Sequence, residues 1–565
     1  MPNSLQEAII SNDYYDYIIP SVFDFSTLSD ILPEIRLLEM DTAYSLLNVP
    51  APRNTALLEY TRYNTIPNLF MLQDTTSLEV SGITQVQNLT NLNLSGSGVL
   101  IGFIDTGIDY TNRVFRDAAG NTRIEAIWDQ TIQGGTVPPH FPYGTEYRRA
   151  EINQALQSDT PLEVVPSTDT NGHGTFLASV TAGSAIPEEN FIGAAPSSTI
   201  AMVKLKEAKD YLKEFFYYSG SEPVYQESDI IMAYSYLRNL ALELQVPLVV
   251  CIGLGTNQGD HAGGMPLSVV LSGSSILITN AVVVACGNEA GRAHHYYGEL
   301  PENVSYETIE ILVPEGSPGF FLETWVRSPD AFSVGFVSPT GEVVSRIPFG
   351  LNNTVNAGFI LDPTTIEVHY ETIQAVTGSQ LIFMRFRQPS PGIWRVRVYG
   401  PRVLFGSFHM WLPIYGFTDP DIVFLKPDAY TTLTAPSDAS NIIATGTYDA
   451  YTNGLFLNSG RGNTTLDVQK PDFCAPGVNL TGMNARGNLT TRTGSCLAAG
   501  LTAGSAALVM EWGLKRSPFL LFNSAEIRDF LIRGTVREPG IVYPNREWGY
   551  GKLNVYRSFT SFFET

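Results

Sequence analysis

Three short stretches of this 565-residue chain carry side chains suited to nucleophilic chemistry. One is Thr493-Gly494-Ser495-Cys496-Leu497-Ala498-Ala499-Gly500, a sharp turn followed by Ala503, Gly504, Ala506 and Ala507. It reads as the start of a helix rich in small residues. A side chain in the first turn of such a helix meets free N–H groups and the positive end of the helix dipole, which suits a group that builds up negative charge. A second stretch, Ile104-Asp105-Thr106-Gly107-Ile108-Asp109, places Asp105 at the end of an apolar run. In the third, Asn171-Gly172-His173-Gly174-Thr175-Phe176, glycines permit a tight turn and the helix that follows would fix the His173 ring. Each stretch alone has an ordinary reading: a tightly packed helix start, a loop or capping carboxylate, a polar surface histidine. Taken together, the chain order Asp, His, then Ser or Cys at a helix start matches one of the three known triad orders.

Such a triad needs a scaffold that brings distant residues to one edge. Val99-Leu100-Ile101-Gly102-Phe103-Ile104 is a continuous apolar run, the mark of a strand buried on both faces. From there strands and helices alternate. The patterns predict helices over His173–Ala182, Ser228–Leu244 and Pro266–Ile278, and strands over Ile200–Lys204, Pro247–Gly253 and Ala281–Ala285. This alternation predicts a doubly wound parallel α/β sheet, in which working residues collect at the carboxyl ends of the strands. Between about Pro301 and Phe417 short β-rich runs separated by Gly, Pro, Asn and Ser replace it, which reads as an inserted all-β sandwich. The α/β pattern then returns, with a strand over Ser440–Gly446 and a last helix over Ser524–Ile532. Ahead of it all, residues 1 to about 90 read as a small α+β unit. It has a helix over Ser29–Leu47, strands over Thr55–Tyr60 and Leu69–Leu72, and a polar linker from Thr90 to Ser97.

The bulk numbers set limits. A chain of this length predicts two to four domains, and 44% apolar with 16% charged residues is globular composition. A net charge of −22 argues against nucleic acid and acidic membranes as partners. No apolar run reads as long enough to span a bilayer. The N-terminus lacks a basic and apolar leader, so the expectation is synthesis in the cytoplasm without a signal peptide. Cys251, Cys286, Cys474 and Cys496 show no paired metal spacing and read as reduced, buried thiols.

At this point the chain resembles the subtilase family of subtilisin-like serine peptidases. The matching pieces are Asp105-Thr106-Gly107, Gly172-His173-Gly174-Thr175, Gly253-Leu254-Gly255, Ala285-Cys286-Gly287-Asn288-Glu289, Lys470-Pro471-Asp472-Phe473-Cys474-Ala475-Pro476-Gly477, and Gly494 to Ala499. The resemblance implies a subtilisin-like catalytic domain over residues 91–302 and 418–565, a propeptide-like domain over 1–90, and an inserted jelly-roll-like domain over 303–417. It implies His173 as general base, Asp105 as its orienting carboxylate, and Asn288 with the backbone N–H of Cys496 as oxyanion donors. Gly253, Leu254 and Gly255 would pair with extended substrate backbone, and Ala285, Cys286 and Gly287 would line the pocket before the cut. No cofactor is implied, and Pro187-Glu188-Glu189 does not resemble the calcium loop of secreted relatives. The leading and inserted domains are most similar to those of the Csp group of clostridial germination proteases. By its position in the family the leading domain is expected to be a propeptide that occupies the active-site cleft and is removed by self-cleavage, with a junction between Leu78 and Gly98. The narrower likeness to the Csp group implies a protein zymogen as substrate, a spore cortex-lytic hydrolase, and association with spores.

Three positions depart from the family pattern Gly-Thr-Ser-x-Ala-x-Pro. In register, Cys496 stands where the family has its serine and Gly500 where it has proline; Ser495 replaces threonine. Making Ser495 the nucleophile would break the match at Ala498 and rotate the side chain by about 100° about the helix axis. A thiol beside a histidine ionises easily, while its longer bonds misplace the reacting atom. Three readings stay open: an active thiol peptidase, a weakened relative kept as a binding or signalling scaffold, or a replacement that was introduced.

Overall fold

Leu100–Asp105 is buried at every position and forms the middle of an eight-stranded sheet. The spatial order is Phe473–Pro476, Ile443–Tyr448, Asn280–Ala285, Leu248–Ile252, Leu100–Asp105, Thr199–Lys204, Ile124–Asp129 and Thr145–Arg148. All neighbours are parallel except the Thr145–Arg148 edge, which runs antiparallel. Alternate residues of each strand face opposite layers. Ile101, Phe103, Val249 and Val283 pack with the His173–Ala182 and Ser495–Arg516 helices. Leu100, Ile104, Val250, Ile252 and Val284 pack with the helices Glu227–Leu244 and Pro266–Ser274 on the other face. The doubly wound architecture is therefore the one the sequence predicts. This computed structural model describes residues 5–21, 35–51, 62–72, 81–88, 92–302, 304–350, 353–371, 377–400, 403–517 and 520–561.

The inserted region forms two antiparallel sheets of six and five strands around one core rich in Phe, Ile and Val. Its sheets take in His295–Glu299 before residue 303 and Val423–Phe424 after residue 417, so the insert is wider than its composition suggests. The leading region has a short helix, Leu5–Ile10, and a three-stranded antiparallel sheet ordered Tyr14–Pro20, Tyr44–Pro50, Arg36–Glu39.

The helix expected over Ser29–Leu47 is not what forms where the chain is described: Arg36–Glu39 and Tyr44–Pro50 are strands. Asp41 accepts from the Thr42 hydroxyl and the Ala43 N–H, and this turn closes a hairpin. The leucine pairs Leu37-Leu38 and Leu46-Leu47 fit a helical or a strand period, and the turn decides between them. The strand expected over Thr55–Tyr60 lies outside the described residues, whereas Leu69–Leu72 is a strand.

The 22-residue helix Ser495–Arg516 is long and apolar enough to cross a membrane by those two measures, which the reading of the sequence did not anticipate. Within the fold it is a core helix, 89% buried across its apolar window. Its Glu511 accepts from the Ser95 and Gly96 N–H groups, each at 2.6 Å, so the polar stretch expected to be a linker is tied to this helix.

Candidate active site

Asp105 ends the central strand, His173 begins the first helix on one face, and Cys496 lies in the first turn of the long core helix. The fold thus delivers three residues far apart in sequence to one sheet edge. His173 Nδ1 lies 2.8 and 2.9 Å from the two Asp105 carboxylate oxygens, and His173 Nε2 lies 3.3 Å from Cys496 Sγ. Cys496 is fully buried and His173 is 4% exposed. Burial works against a charged His173 ring, but Asp105 and then the Cys496 sulfur hold its pKa well above the ordinary histidine value. A proton on Nε2 facing sulfur stabilises a thiolate. Asn288 Oδ1 accepts from the Ser495 N–H at 3.2 Å, which orients the amide at the start of the helix that carries Cys496 and leaves its Nδ2 hydrogens as donors.

Gly253 is required here by close approach. A Cβ on it would lie 2.9 Å from Cys496 Cβ and 3.5 Å from His173 Cε1. One turn past the thiol, a Cβ on Gly500 would lie 2.6 Å from Thr181 Oγ1 and 2.8 Å from Leu177 Cδ1, both on the helix that starts with His173. Glycine at the position where the family pattern has proline therefore lets the helices of His173 and Cys496 sit close together.

Asp169 was not singled out in the sequence. One of its oxygens accepts from the Thr106 hydroxyl and the Gly172 N–H, the other from the Thr175 N–H and hydroxyl. Thr106 in turn accepts from the Gly174 N–H at 3.0 Å. This net laces the loop after Asp105 to the helix that carries His173. The signal was present only as an Asp three residues ahead of the glycine at the helix N-cap, outside the usual capping position.

Beside the triad lies a cleft that is already filled. Leu69–Leu72 runs antiparallel between Leu254–Gly255 and Tyr225–Gln226, with Leu254 opposite Leu72, Gly255 opposite Met71, and Phe70 opposite Tyr225. The Leu69 N–H donates to Gln258 Oε1 at 2.8 Å, and the Glu227 N–H donates to the Asn68 carbonyl at 2.9 Å. Burial pushes Glu227 up to about 7, against the bonds it accepts from Leu267 and Asn68. The expected junction between Leu78 and Gly98 lies downstream of the strand that occupies the cleft. Of the other expected residues, Ala285 and Cys286 turn their side chains into the core, Cys286 against Leu433 and Ala444. All four cysteines are free and buried, and no group of His, Cys, Asp and Glu suited to a metal gathers among the described residues.

The subtilase family model matches residues 96–334 and 425–551, more than half of the chain. The chain belongs to the subtilase family. Its structure is similar to that of the Clostridium perfringens CspB protease, with 31% identity, a TM-score of 0.76, and coverage of 86% of this chain and 98% of that one. This subtilase is thus most like the Csp group. It is also 21% identical over 517 residues to the subtilisin-like protease SBT4.7 of Arabidopsis thaliana, spanning 64% of that protein. Mouse membrane-bound transcription factor site-1 protease shares 29% identity over 136 residues, which is 12% of that protein's length.

Proposed function

We propose that this subtilase is a thiol endopeptidase that first cuts its own leading segment and then a protein zymogen. The observation that carries this is the Leu69–Leu72 strand. It pairs antiparallel with Leu254–Gly255 next to the His173–Cys496 pair, as an extended substrate would. On this reading Gln73, the residue that follows Leu72 in the chain, is the one before the cut, upstream of the junction expected from the sequence.

In this mechanism the sulfur of Cys496 attacks the carbonyl carbon after Nε2 of His173 takes its proton. Asp105 orients the imidazolium, and Asn288 Nδ2 with the Cys496 N–H stabilises the oxyanion. His173 gives the proton to the departing amine, which leaves a thioester. Water, deprotonated by His173, then releases the acid and the thiol. The protein substrate of the mature enzyme would enter as an extended strand in the same cleft. Its likeness to the Csp group favours the zymogen of a spore cortex-lytic hydrolase and a place in the spore.

A second reading, a pseudoprotease that binds without cutting, draws on Cys496 itself, since sulfur stands where the family carries oxygen. Intact mass followed over time separates the two. Conversion of the full chain to a form beginning at Asp74, absent in Cys496→Ala, supports the peptidase. A chain that stays whole while Cys496→Ser is cut supports the scaffold.

A further inference from the structure

Upstream of the cleft strand the chain passes between the catalytic domain and the β insert. Tyr63 is 1% exposed there, although it belongs to neither. Its hydroxyl donates to Glu323 Oε1, and Gln258 Nε2 donates to the same hydroxyl at 3.4 Å. Its ring lies 4.7 Å from that of Phe383, and its backbone N–H donates to Glu371 Oε2 at 3.0 Å. Glu323, Phe383 and Glu371 all belong to the insert. Gln258 belongs to the loop that continues from Gly253–Gly255, and it also accepts from the Leu69 N–H.

The pocket is built around its carboxylate. Glu323 is fully buried, and its second oxygen is held by the Gly259 N–H at 3.0 Å and by Trp325 Nε1 at 2.8 Å. One oxygen is thereby fixed by both domains, and the other faces the phenol. A buried carboxylate set to receive an O–H rejects a partner that lacks one, because the oxygen is then left without its bond. A leucine or phenylalanine would satisfy the walls but not Glu323.

We propose that this junction is a docking site for a tyrosine side chain of the polypeptide that occupies the cleft. The tyrosine takes the position Tyr63 holds, nine residues before Leu72. The insert then acts as a reader of substrate at a distance from the bond cut. It selects protein substrates that carry a tyrosine at that spacing, and Glu323 and Gln258 are the specificity-determining residues. The substrate part of this inference rests on the peptidase reading above; the occupancy of the site by Tyr63 does not.

The test is arranged to keep the two apart. In the full-length Cys496→Ala protein, which cannot cut, hydrogen exchange at the backbone amides of residues 69–72 is compared among parent, Tyr63→Phe, Glu323→Gln and the double variant. Phenylalanine keeps the ring, so a purely packing role predicts no change. A reader of the hydroxyl predicts exchange faster by about 10- to 100-fold in each single variant, with no further gain in the double. Unchanged exchange in Tyr63→Phe overturns the proposal. Should Glu323→Gln fail to fold, Tyr63→Phe alone decides this arm. With self-processed enzyme, a synthetic peptide of residues 62–78 is compared with its Tyr63→Phe form. KM is expected to rise by about 10- to 100-fold with kcat unchanged, and Glu323→Gln enzyme is expected to lose the distinction. Equal KM values overturn substrate reading. If the wild-type chain cuts nothing yet the exchange pattern holds, the peptidase reading falls and the tyrosine site stands.

Discussion

Among the histidines of this subtilase, His173 and the cluster around Trp411 have surroundings that differ in charge more than in depth. His173 faces Asp105 on one side and the Cys496 sulfur on the other. His261 and His295 are equally buried but sit on the face of Trp411, at ring-centre distances of 4.0 and 4.9 Å. His295 Nε2 meets His409 Nδ1 at 3.0 Å. Among the described residues no carboxylate bonds to either ring of that pair. Burial drives the pKa of His295 well below the ordinary value. Burial, followed by the charges of His261 and Arg546, pushes His409 down to about 3. For His173 the same burial is outweighed by Asp105 and Cys496. Depth alone makes a histidine a neutral packing piece; a counter-charge on each ring nitrogen makes it a proton carrier.

The largest expected effects test that contrast directly. His173→Ala should slow self-cleavage by about 10²–10⁴-fold in intact-mass time courses, whereas His409→Ala should leave the rate unchanged. Comparable losses in both would break the distinction. Asn288→Ala should cost about 10²–10³-fold in kcat with KM little changed, because its donors act on an oxyanion that exists only in the transition state. Gly253→Ala adds a Cβ 2.9 Å from Cys496 Cβ and should cost about 10²-fold in the same assay by displacing the thiol. Gly500→Ala crowds Thr181 and Leu177 and should lower stability by about 1–3 kcal/mol in urea unfolding.

The smallest effect is in pH dependence. The folded-state pKa of His409 lies below its unfolded value, so the folded state resists a proton that the unfolded chain accepts. Stability should therefore fall as pH drops from about 6.5 towards about 3, and His409→Phe should reduce that fall in urea midpoints. His173 has the opposite sign. Its contribution is complete below about 6.5 and is lost as pH rises through its raised value, so His173→Ala should flatten the alkaline side. Ring-nitrogen NMR at neutral pH should find His173 protonated and His409 neutral.

Much of the fold was legible because the evidence for it is local. The run from Val99 to Ile104 can only be a strand buried on both faces, and the helix that begins at His173 follows its predicted span. The leading region was harder. Its leucine pairs suit both helical and strand periods, and a short turn over Asp41-Thr42-Ala43 settled the matter. Asp105 and His173 were recognisable from short glycine-flanked motifs, but the net of Asp169, Thr106 and Thr175 was not. Its members gain meaning only when the strand end and helix start meet.

What the sequence determined by itself was the chemistry on offer: an Asp, a His and a Cys in triad order, with sulfur where the family pattern has oxygen. Period and glycine placement fixed the elements that carry them, since both depend on neighbours along the chain. That the leading domain would sit in the cleft followed from the family resemblance, but only the tertiary structure decided that Leu69–Leu72 is the strand that does so and that the insert holds Tyr63 through Glu323. These contacts join residues separated by 182 positions between Leu72 and Leu254, and by 260 between Tyr63 and Glu323. Their strength comes from burying a strand edge and a carboxylate together, and no local pattern records which distant surface will do the burying.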